Sequence, residues 1–153
     1  MKSIPVIVII DDSVITRRIV KNIVNGKVKN SIVYTFSSGS DLIENYQQIN
    51  PDVVILDNLF PITETRAEKG KDILTEIREL DRNVRVIIYS AQCDTSVIDE
   101  LKALGADAYI TKPAAAETLG EVIIENINRC SVNNDMFESI KSFERSDDEI
   151  HGY

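Results

Sequence analysis

The sequence predicts an α/β fold: a doubly wound, five-stranded parallel sheet with five flanking helices and a short C-terminal helical extension. Two observations carry this prediction. Short apolar runs alternate five times with amphipathic segments of helical period within about 125 residues, which is typical of βα units joined by right-handed crossovers. The first run, Val6–Ile10, is continuous and rich in β-branched residues, as expected for a strand covered on both faces. At 153 residues the chain is long enough for one domain with a core.

The first helix is predicted to begin after Ser13, a favourable N-cap, and to stop at the pair Asn25-Gly26. Its apolar residues recur at helical spacing. They are Val14, Ile15, Ile19, Ile23 and Val24. Ile32–Phe36 is the second predicted strand.

A second helix is predicted from a cap at Ser40 through Leu42, Ile43 and Tyr46, and the pair Asn50-Pro51 ends the connection that follows. Three further units complete the pattern. The predicted strands are Val53–Leu56, Val84–Tyr89 and Ala108–Ile110, and the predicted helices are Asp72–Leu80, Thr95–Leu104 and Glu117–Cys130.

Charge and cysteine content exclude several classes of protein. The net charge is −8, which is unsuited to sequence-independent nucleic-acid binding because that requires many cations. The apolar run at the N-terminus is too short to span a membrane, and it lacks the cleavage site of a signal peptide. Cys93 and Cys130 do not form a disulfide framework, so we expect a reduced, cytoplasmic protein.

Polar residues follow four of the predicted strands at the point where each strand ends. They are the pair Asp11-Asp12, then Asp57, Ser90 and Lys112. The carboxyl ends of parallel strands line one crevice of an open sheet, and ligands bind there. We therefore expect three carboxylates, one hydroxyl and one ammonium at a single site, an inventory that suits a divalent cation and a phosphoryl group.

The acidic residues predict Mg²⁺ in particular. Two carboxylates about 4 Å apart repel by roughly 4 kcal/mol at an effective dielectric constant near 20, so three require a compensating cation. Mg²⁺ prefers oxygen ligands, whereas the only histidine, His151, gives no support to a transition-metal site. A simpler interpretation of Asp11 and Asp12 alone is that they stabilise the N-terminus of the first helix.

Over about residues 4 to 130 the sequence resembles the receiver domain of bacterial response regulators. The resemblance rests on an ordered set of motifs. These are Ile9-Ile10-Asp11-Asp12-Ser13, Val53-Val54-Ile55-Leu56-Asp57, Pro61, Ile87-Ile88-Tyr89-Ser90-Ala91 and Gly105-Ala106-Asp107-Ala108-Tyr109-Ile110-Thr111-Lys112-Pro113. As a spaced set they are specific, although each would be weak alone.

This resemblance implies a flavodoxin-like strand order, 2-1-3-4-5, and a phosphoacceptor at Asp57. It implies that Mg²⁺ is held by Asp11, Asp12, Asp57 and the backbone carbonyl of Leu59, and that Lys112 pairs with a phosphoryl oxygen. The phosphoryl donor would be a sensor histidine kinase or a phosphotransfer protein.

The resemblance further implies a conformational switch. Ser90 would move to hydrogen-bond the phosphoryl group and Tyr109 would turn inward with it, while a cis bond to Pro113 would direct Lys112 into the site. Each of these residues also has an ordinary interpretation. Ser90 fits a turn, Tyr109 a half-buried strand position, and Lys112 a solvated loop.

Two segments depart from the family pattern. The loop Ile62–Lys69 is about five residues longer than usual; it is either an inert polar loop or a segment that shields Asp57 or contacts a partner. Residues 131–153 form an acidic extension with a net charge of −4. In it, Met136, Phe137, Ile140 and Phe143 predict a short amphipathic helix that packs on the body or binds a partner, followed by a disordered end.

We therefore expect residues 1–130 to form a receiver domain that acts as a stand-alone, phosphorylation-controlled signalling switch. It would have no catalysis beyond self-dephosphorylation, and it would signal by protein–protein contact. The downstream target is unknown. The predicted fourth helix, fifth strand and fifth helix form a face that would contact the target or a second copy of the chain. Two alternatives remain, an aspartyl-phosphate phosphatase and a receiver-like interaction module that is not phosphorylated.

Overall fold

The computed structural model describes residues 4–58, 69–92 and 94–130. The five strands form one sheet in the order β2-β1-β3-β4-β5, and all neighbouring strands are parallel. The predicted fold class and strand order are confirmed. Among the described residues, no helix has both the length and the apolar character needed to cross a membrane.

The strands are β1 (Val6–Ile10), β2 (Ile32–Phe36), β3 (Val53–Leu56), β4 (Arg85–Ser90) and β5 (Ala108–Thr111). The helices are α1 (Val14–Lys27), α2 (Gly39–Glu44), α3 (Tyr46–Ile49), α4 (Gly70–Leu80), α5 (Thr95–Ala103) and α6 (116–130).

The core is divided by the sheet into two apolar layers. Along β1, Ile7 and Ile9 face one layer, which is completed by α1 and α6. Val8 and Ile10 face the other layer, where α2, α3, α4 and α5 pack. All five residues of β1 are buried, which explains why its sequence shows a continuous apolar run and no alternation. This arrangement leaves the carboxyl ends of the central strands as the edge where polar groups converge.

The helical pattern differs from the prediction in two places. The helix α1 continues past Asn25-Gly26 to Lys27, and its last amide contact joins the Val28 nitrogen to the Val24 carbonyl. Open space surrounds Gly26, so no close approach forces the helix to end there. The pair Asn25-Gly26 is therefore a favourable stop that α1 does not use.

The second predicted helix is divided into α2 and α3 at Asn45, whose backbone leaves the helical region. Its side chain donates a hydrogen bond of 2.9 Å to the Asp41 carbonyl and so satisfies an acceptor at the end of α2. The expected cap at Ser40 is wrong. The N-cap is Ser38, whose side chain makes no capping bond and whose hydroxyl lies 3.0 Å from that of Ser40.

At the amino ends of the strands, Asp107 joins three structural elements. Its carboxylate lies 3.0 Å from Arg78 of α4 and 3.2 Å from Arg85 of β4, and it accepts the Val86 amide at 2.8 Å. Arg78 also donates two bonds to the carbonyl of Gly105, which has a positive φ of 109°. This cluster fixes the start of β5 to its neighbours, on the edge opposite the candidate site.

Candidate functional site

The candidate site begins where β1 and β3 end. The Asp11 amide donates to the Phe36 carbonyl at 3.1 Å, and the Asp57 amide donates to the Ile10 carbonyl at 3.0 Å. Parallel pairing therefore continues one residue beyond the strands and fixes the backbone of both aspartates. Their side chains are positioned by the sheet itself, as expected for residues at this edge of an open α/β fold.

Three carboxylates meet at this edge. Asp11, Asp12 and Asp57 each offer an oxygen atom, and these atoms lie within 4.8 Å of one another. Asp11 and Asp57 are buried, with 3% and 6% of their surface exposed, whereas Asp12 is exposed. Buried carboxylates at this separation repel strongly, so the cluster requires cationic partners.

Lys112 supplies one of these cations. Its ammonium lies 2.6 Å from Asp11 Oδ2 and 3.1 Å from Asp57 Oδ2, and 5.5 Å from the centre of the Tyr89 ring. Burial lowers the pKa of Lys112, but the hydrogen bond to Asp11 and the charge of Asp57 outweigh burial and raise the pKa overall. Lys112 is thus a charged participant, and the bond to Pro113 is cis, as the resemblance implied.

The first turn of α1 adds further contacts to Asp11. The Ser13 amide donates to Asp11 Oδ1 at 2.9 Å, and Ser13 Oγ accepts the Thr16 amide at 3.2 Å, so the predicted N-cap is present. Arg17 donates to the Asp11 carbonyl at 2.6 Å. We did not predict a site role for Arg17. A cation one helical turn after Ser13 is the signal that could have indicated it.

Ser90 and Tyr109 lie beside the next strand end. Ser90 is the last residue of β4 and is fully buried, and its hydroxyl accepts the Gln92 amide at 3.3 Å. Tyr109 of β5 is half-buried, packs against the core and donates its hydroxyl to the Gln92 carbonyl. Both residues that the resemblance assigned to a switch therefore contact the same residue, Gln92.

Asn58 is a further site residue that sequence reasoning did not identify. It follows Asp57, is 8% exposed, and donates from Nδ2 to Gln92 Oε1 at 2.9 Å. Its carbonyl accepts the Gly70 amide at 3.2 Å. A buried asparagine beside a strand-end aspartate is a weak signal, and its partner lies 34 residues away.

Several sequence predictions fall outside the described residues. They are the Leu59 carbonyl as a metal ligand, the packing of Cys93, the loop Ile62–Lys69 apart from Lys69, and the amphipathic helix within 131–153.

The arrangement can hold a divalent cation. Three carboxylates and one ammonium leave two negative charges, which Mg²⁺ would neutralise with oxygen ligands of the type it prefers. A carboxylate oxygen of Asp57 is also suited to nucleophilic attack on phosphorus once its charge is shared with cations.

Comparison with known proteins agrees with this fold. The sequence model of the response regulator receiver domain family matches residues 7–124 of this chain. The chain is 31% identical to the chemotaxis protein CheY of Bacillus subtilis strain 168 over 124 residues, covering 80% of this chain and 97% of that protein. It is 39% identical over 110 residues to the protein-glutamate methylesterase/protein-glutamine glutaminase of Trichodesmium erythraeum strain IMS101, covering 71% of this chain but 30% of that protein.

Among solved structures, a CheY-like response regulator receiver domain protein from Methanospirillum hungatei JF-1 superposes with a TM-score of 0.76 at 20% identity. It covers 86% of this chain and 99% of that one. This likeness concerns the fold. The chain belongs to the response regulator receiver family.

Proposed function

We propose that this protein is a phosphorylation-activated signalling switch that accepts a phosphoryl group on Asp57 from a phosphohistidine of a sensor kinase or phosphotransfer protein. One observation carries the proposal. Asp11, Asp12 and Asp57 lie within 4.8 Å of one another, and Lys112 bridges the two buried ones. A purely structural role would favour fewer buried acids, since each costs desolvation energy.

The proposed reaction is transfer between two protein side chains. An oxygen of Asp57 attacks phosphorus, the phosphorus–nitrogen bond to histidine breaks, and the histidine nitrogen keeps the bonding electrons. The Lys112 ammonium pairs with a phosphoryl oxygen, and its positive charge reduces the repulsion between the phosphoryl group and the nearby carboxylate of Asp11. The product is an acyl phosphate, which water can hydrolyse. Beyond this self-dephosphorylation we propose no catalysis.

Mg²⁺ is the proposed metal. Asp11, Asp12 and Asp57 would hold it, with the Leu59 carbonyl as a fourth protein ligand. The excess of three carboxylates over the one ammonium of Lys112 supports a divalent ion. When bound, Mg²⁺ shields the approach of an anionic phosphoryl group to the carboxylates.

Ser90 and Tyr109 are the proposed switch residues, and the signal would be read on the face formed by α5, β5 and α6. That face would bind a downstream protein or a second copy of the chain. Sedimentation of the protein before and after phosphorylation tests the second possibility, because a dimer would form only in the phosphorylated sample.

We propose a division of the chain into a receiver, residues 1–130, and an acidic extension, residues 131–153. A chain ending at Cys130 should then take up phosphate as the full chain does. We also propose a cytoplasmic location, supported by a sequence whose two cysteines do not make a disulfide framework.

A phosphotransfer assay tests the function. The protein is incubated with Mg²⁺ and acetyl phosphate, and then with phosphorylated histidine kinases of the source organism, and intact mass is recorded. Uptake of one phosphoryl group is expected. No uptake from any donor would favour the inert interaction module, and turnover of small phosphate esters would favour the phosphatase.

A further inference from the structure

Gln92 connects the two proposed switch residues through its backbone. Its amide donates to Ser90 Oγ at 3.3 Å, and its carbonyl accepts the hydroxyl of Tyr109. Ser90 ends β4 and Tyr109 lies in β5, so both contacts come from the same pair of neighbouring strands. The position of Gln92 therefore determines where the Tyr109 hydroxyl finds an acceptor.

The side chain of Gln92 makes a third contact, to the other side of the site. Its Oε1 accepts Asn58 Nδ2 at 2.9 Å, and Asn58 directly follows the proposed phosphoacceptor Asp57. Asn58 is 8% exposed. A buried amide group must find a partner, because leaving it unsatisfied costs its desolvation energy. The bond therefore connects the end of β3 to the residues that follow β4.

Asn58 is itself held in place. Its carbonyl accepts the amide of Gly70, the first residue of α4, at 3.2 Å. A Cβ atom at position 70 would lie 2.6 Å from the Asn58 Cα and 2.8 Å from its Oδ1, so glycine is required for this approach. Asn58 is thus fixed by the sheet on one side and by α4 on the other, and it can act as a rigid support.

We propose that Asn58 is a positioning residue that, through its hydrogen bond to Gln92, holds the Gln92 carbonyl where it accepts the Tyr109 hydroxyl and so favours the inward position of Tyr109. Two hydrogen bonds make this connection: Asn58 Nδ2 donates to Gln92 Oε1, and the Tyr109 hydroxyl donates to the Gln92 carbonyl. Without the first bond, Gln92 loses its tie to β3 and the Tyr109 hydroxyl loses a fixed acceptor.

The consequence for signalling rests on the proposed function. If the inward position of Tyr109 belongs to the phosphorylated state, Asn58 sets how far the switch favours that state before any phosphoryl group arrives. A contact can shift a two-state equilibrium only by its different strength in the two states. The Asn58–Gln92 bond satisfies this condition if it is intact when Tyr109 is inward and weakened when Tyr109 is outward.

The test follows Tyr109 directly. The chain contains five tyrosines, so 3-fluorotyrosine labelling gives five fluorine resonances, and Tyr109→Phe assigns the one of interest. In Asn58→Leu the Tyr109 resonance should move toward its solvent-exposed position. Loss of one hydrogen bond predicts about a fivefold change in the ratio of inward to outward positions, which corresponds to about 1 kcal/mol.

Gln92→Met tests the same hydrogen bond from its other partner, because methionine cannot accept the Asn58 bond as glutamine does. The variant should fold, since residue 92 is half-exposed and methionine has a similar length. It should move the resonance in the same direction, and the double variant should move it no further than either single one. The matched control is Asn126→Leu, which removes another buried asparagine, 4% exposed, at the opposite edge of the sheet. It should leave the Tyr109 resonance in place.

An unmoved Tyr109 resonance in folded Asn58→Leu would overturn the proposal, and so would additive effects of the two single variants. If Asn58→Leu does not fold, Gln92→Met decides alone. These spectra are recorded without any phosphodonor. A failure of the proposed function, seen as absence of phosphate uptake by the wild type, is therefore distinguishable from a failure of this inference.

Discussion

The ammonium of Lys112 lies 2.6 Å from Asp11 Oδ2, although the two residues are 101 positions apart in the sequence. Lys112 also reaches Asp57 at 3.1 Å, so one cation bridges the ends of β1 and β3. Burial of both carboxylates makes this bridge a condition of the fold as well as a feature of the site.

Replacing Asp57 should abolish phosphorylation. Asp57→Asn replaces the nucleophilic carboxylate with a neutral amide of the same size, so intact mass after incubation with Mg²⁺ and acetyl phosphate should show no added phosphoryl group. Asp94→Asn is the control, since Asp94 is an exposed helix cap that accepts the Ser96 amide. An added phosphoryl group on Asp57→Asn would show that another residue is the phosphoacceptor.

Removing Asp12 should weaken Mg²⁺ binding and stabilise the metal-free protein. Asp12 is exposed, so the relief of repulsion is reduced by solvent, and we expect a gain of about 1 kcal/mol in the free energy of unfolding at low salt. Urea unfolding in EDTA and in Mg²⁺ measures both effects. Asp99→Ala, on the exposed face of α5, should change neither. Equal Mg²⁺ affinity in Asp12→Ala and wild type would remove Asp12 from the metal site.

Lys112→Met should destabilise the metal-free protein by about 2 kcal/mol, because Asp11 and Asp57 then remain buried without their cation. Mg²⁺ should recover most of this loss, since it supplies positive charge to the same carboxylates. Phosphate uptake should still be slow, because pairing with the phosphoryl oxygen is gone. Urea unfolding with and without Mg²⁺ is the measurement. A loss that Mg²⁺ does not reduce would show that the methionine disturbs packing and not charge.

The phosphorylated state should be long-lived. The resemblance to receiver domains implies that the residues two positions after Asp57 and two positions after Ser90, Leu59 and Gln92, flank the path of the attacking water. Leucine cannot orient a water molecule, and the side chain of Gln92 is bonded to Asn58 and carries no charge. Leu59→Asn should accelerate hydrolysis about tenfold, which corresponds to about 1.4 kcal/mol of barrier. Decay is followed after donor removal, with the exposed Leu80→Asn as control. A wild-type lifetime of seconds that Leu59→Asn does not change would contradict this account.

Stability should depend on Tyr46 at high pH. Burial, with the charge of Asp81 and a 3.0 Å hydrogen bond to it, raises the pKa of the Tyr46 hydroxyl well above its usual value of 10.0. The pKa of Tyr46 is higher in the folded protein than in the unfolded chain. The contribution of Tyr46 to the free energy of unfolding is therefore complete below pH 10. It declines at higher pH as Tyr46 ionises in the unfolded chain, by up to about 1.4 kcal/mol per pH unit.

Tyr46→Phe should therefore be about 1 kcal/mol less stable than wild type at pH 7, and its stability should fall less steeply between pH 10 and 11. Urea unfolding across that range compares the two proteins, with the exposed Tyr34→Phe as control. Parallel curves for wild type and Tyr46→Phe would show that the hydroxyl does not titrate differently on unfolding.

Strand positions were predictable because burial on both faces imposes continuous apolar runs, as in Val6–Ile10 and Val53–Leu56. The convergence of Asp11, Asp57 and Lys112 followed from the strand-end rule alone. The end of α1 at Lys27 and the break at Asn45 were not predicted: α1 passes a favourable stop at Gly26, and the break is accompanied by a single side-chain bond from Asn45. Helix propensity alone does not determine the residue at which a helix ends.

The Asn58–Gln92 hydrogen bond is a second feature that could not be predicted from the sequence. Both residues are ordinary polar residues in sequence, and neither stands in an apolar pattern that would mark it. Their bond depends on the close start of α4 at Gly70 and on the course of the chain after β4. Such a contact is visible only when the distances between separate loops are known.

The carboxylate of Asp107 fixes the start of β5. It ties the start of β5 to α4 and β4 through Arg78, Arg85 and the Val86 amide. Tyr109 follows only two residues later, so β5 cannot slide along β4 without breaking these bonds. The backbone next to Tyr109 is therefore held in register with β4, and we expect the Tyr109 ring to change position by rotation about its own side-chain bonds while the strand stays in place.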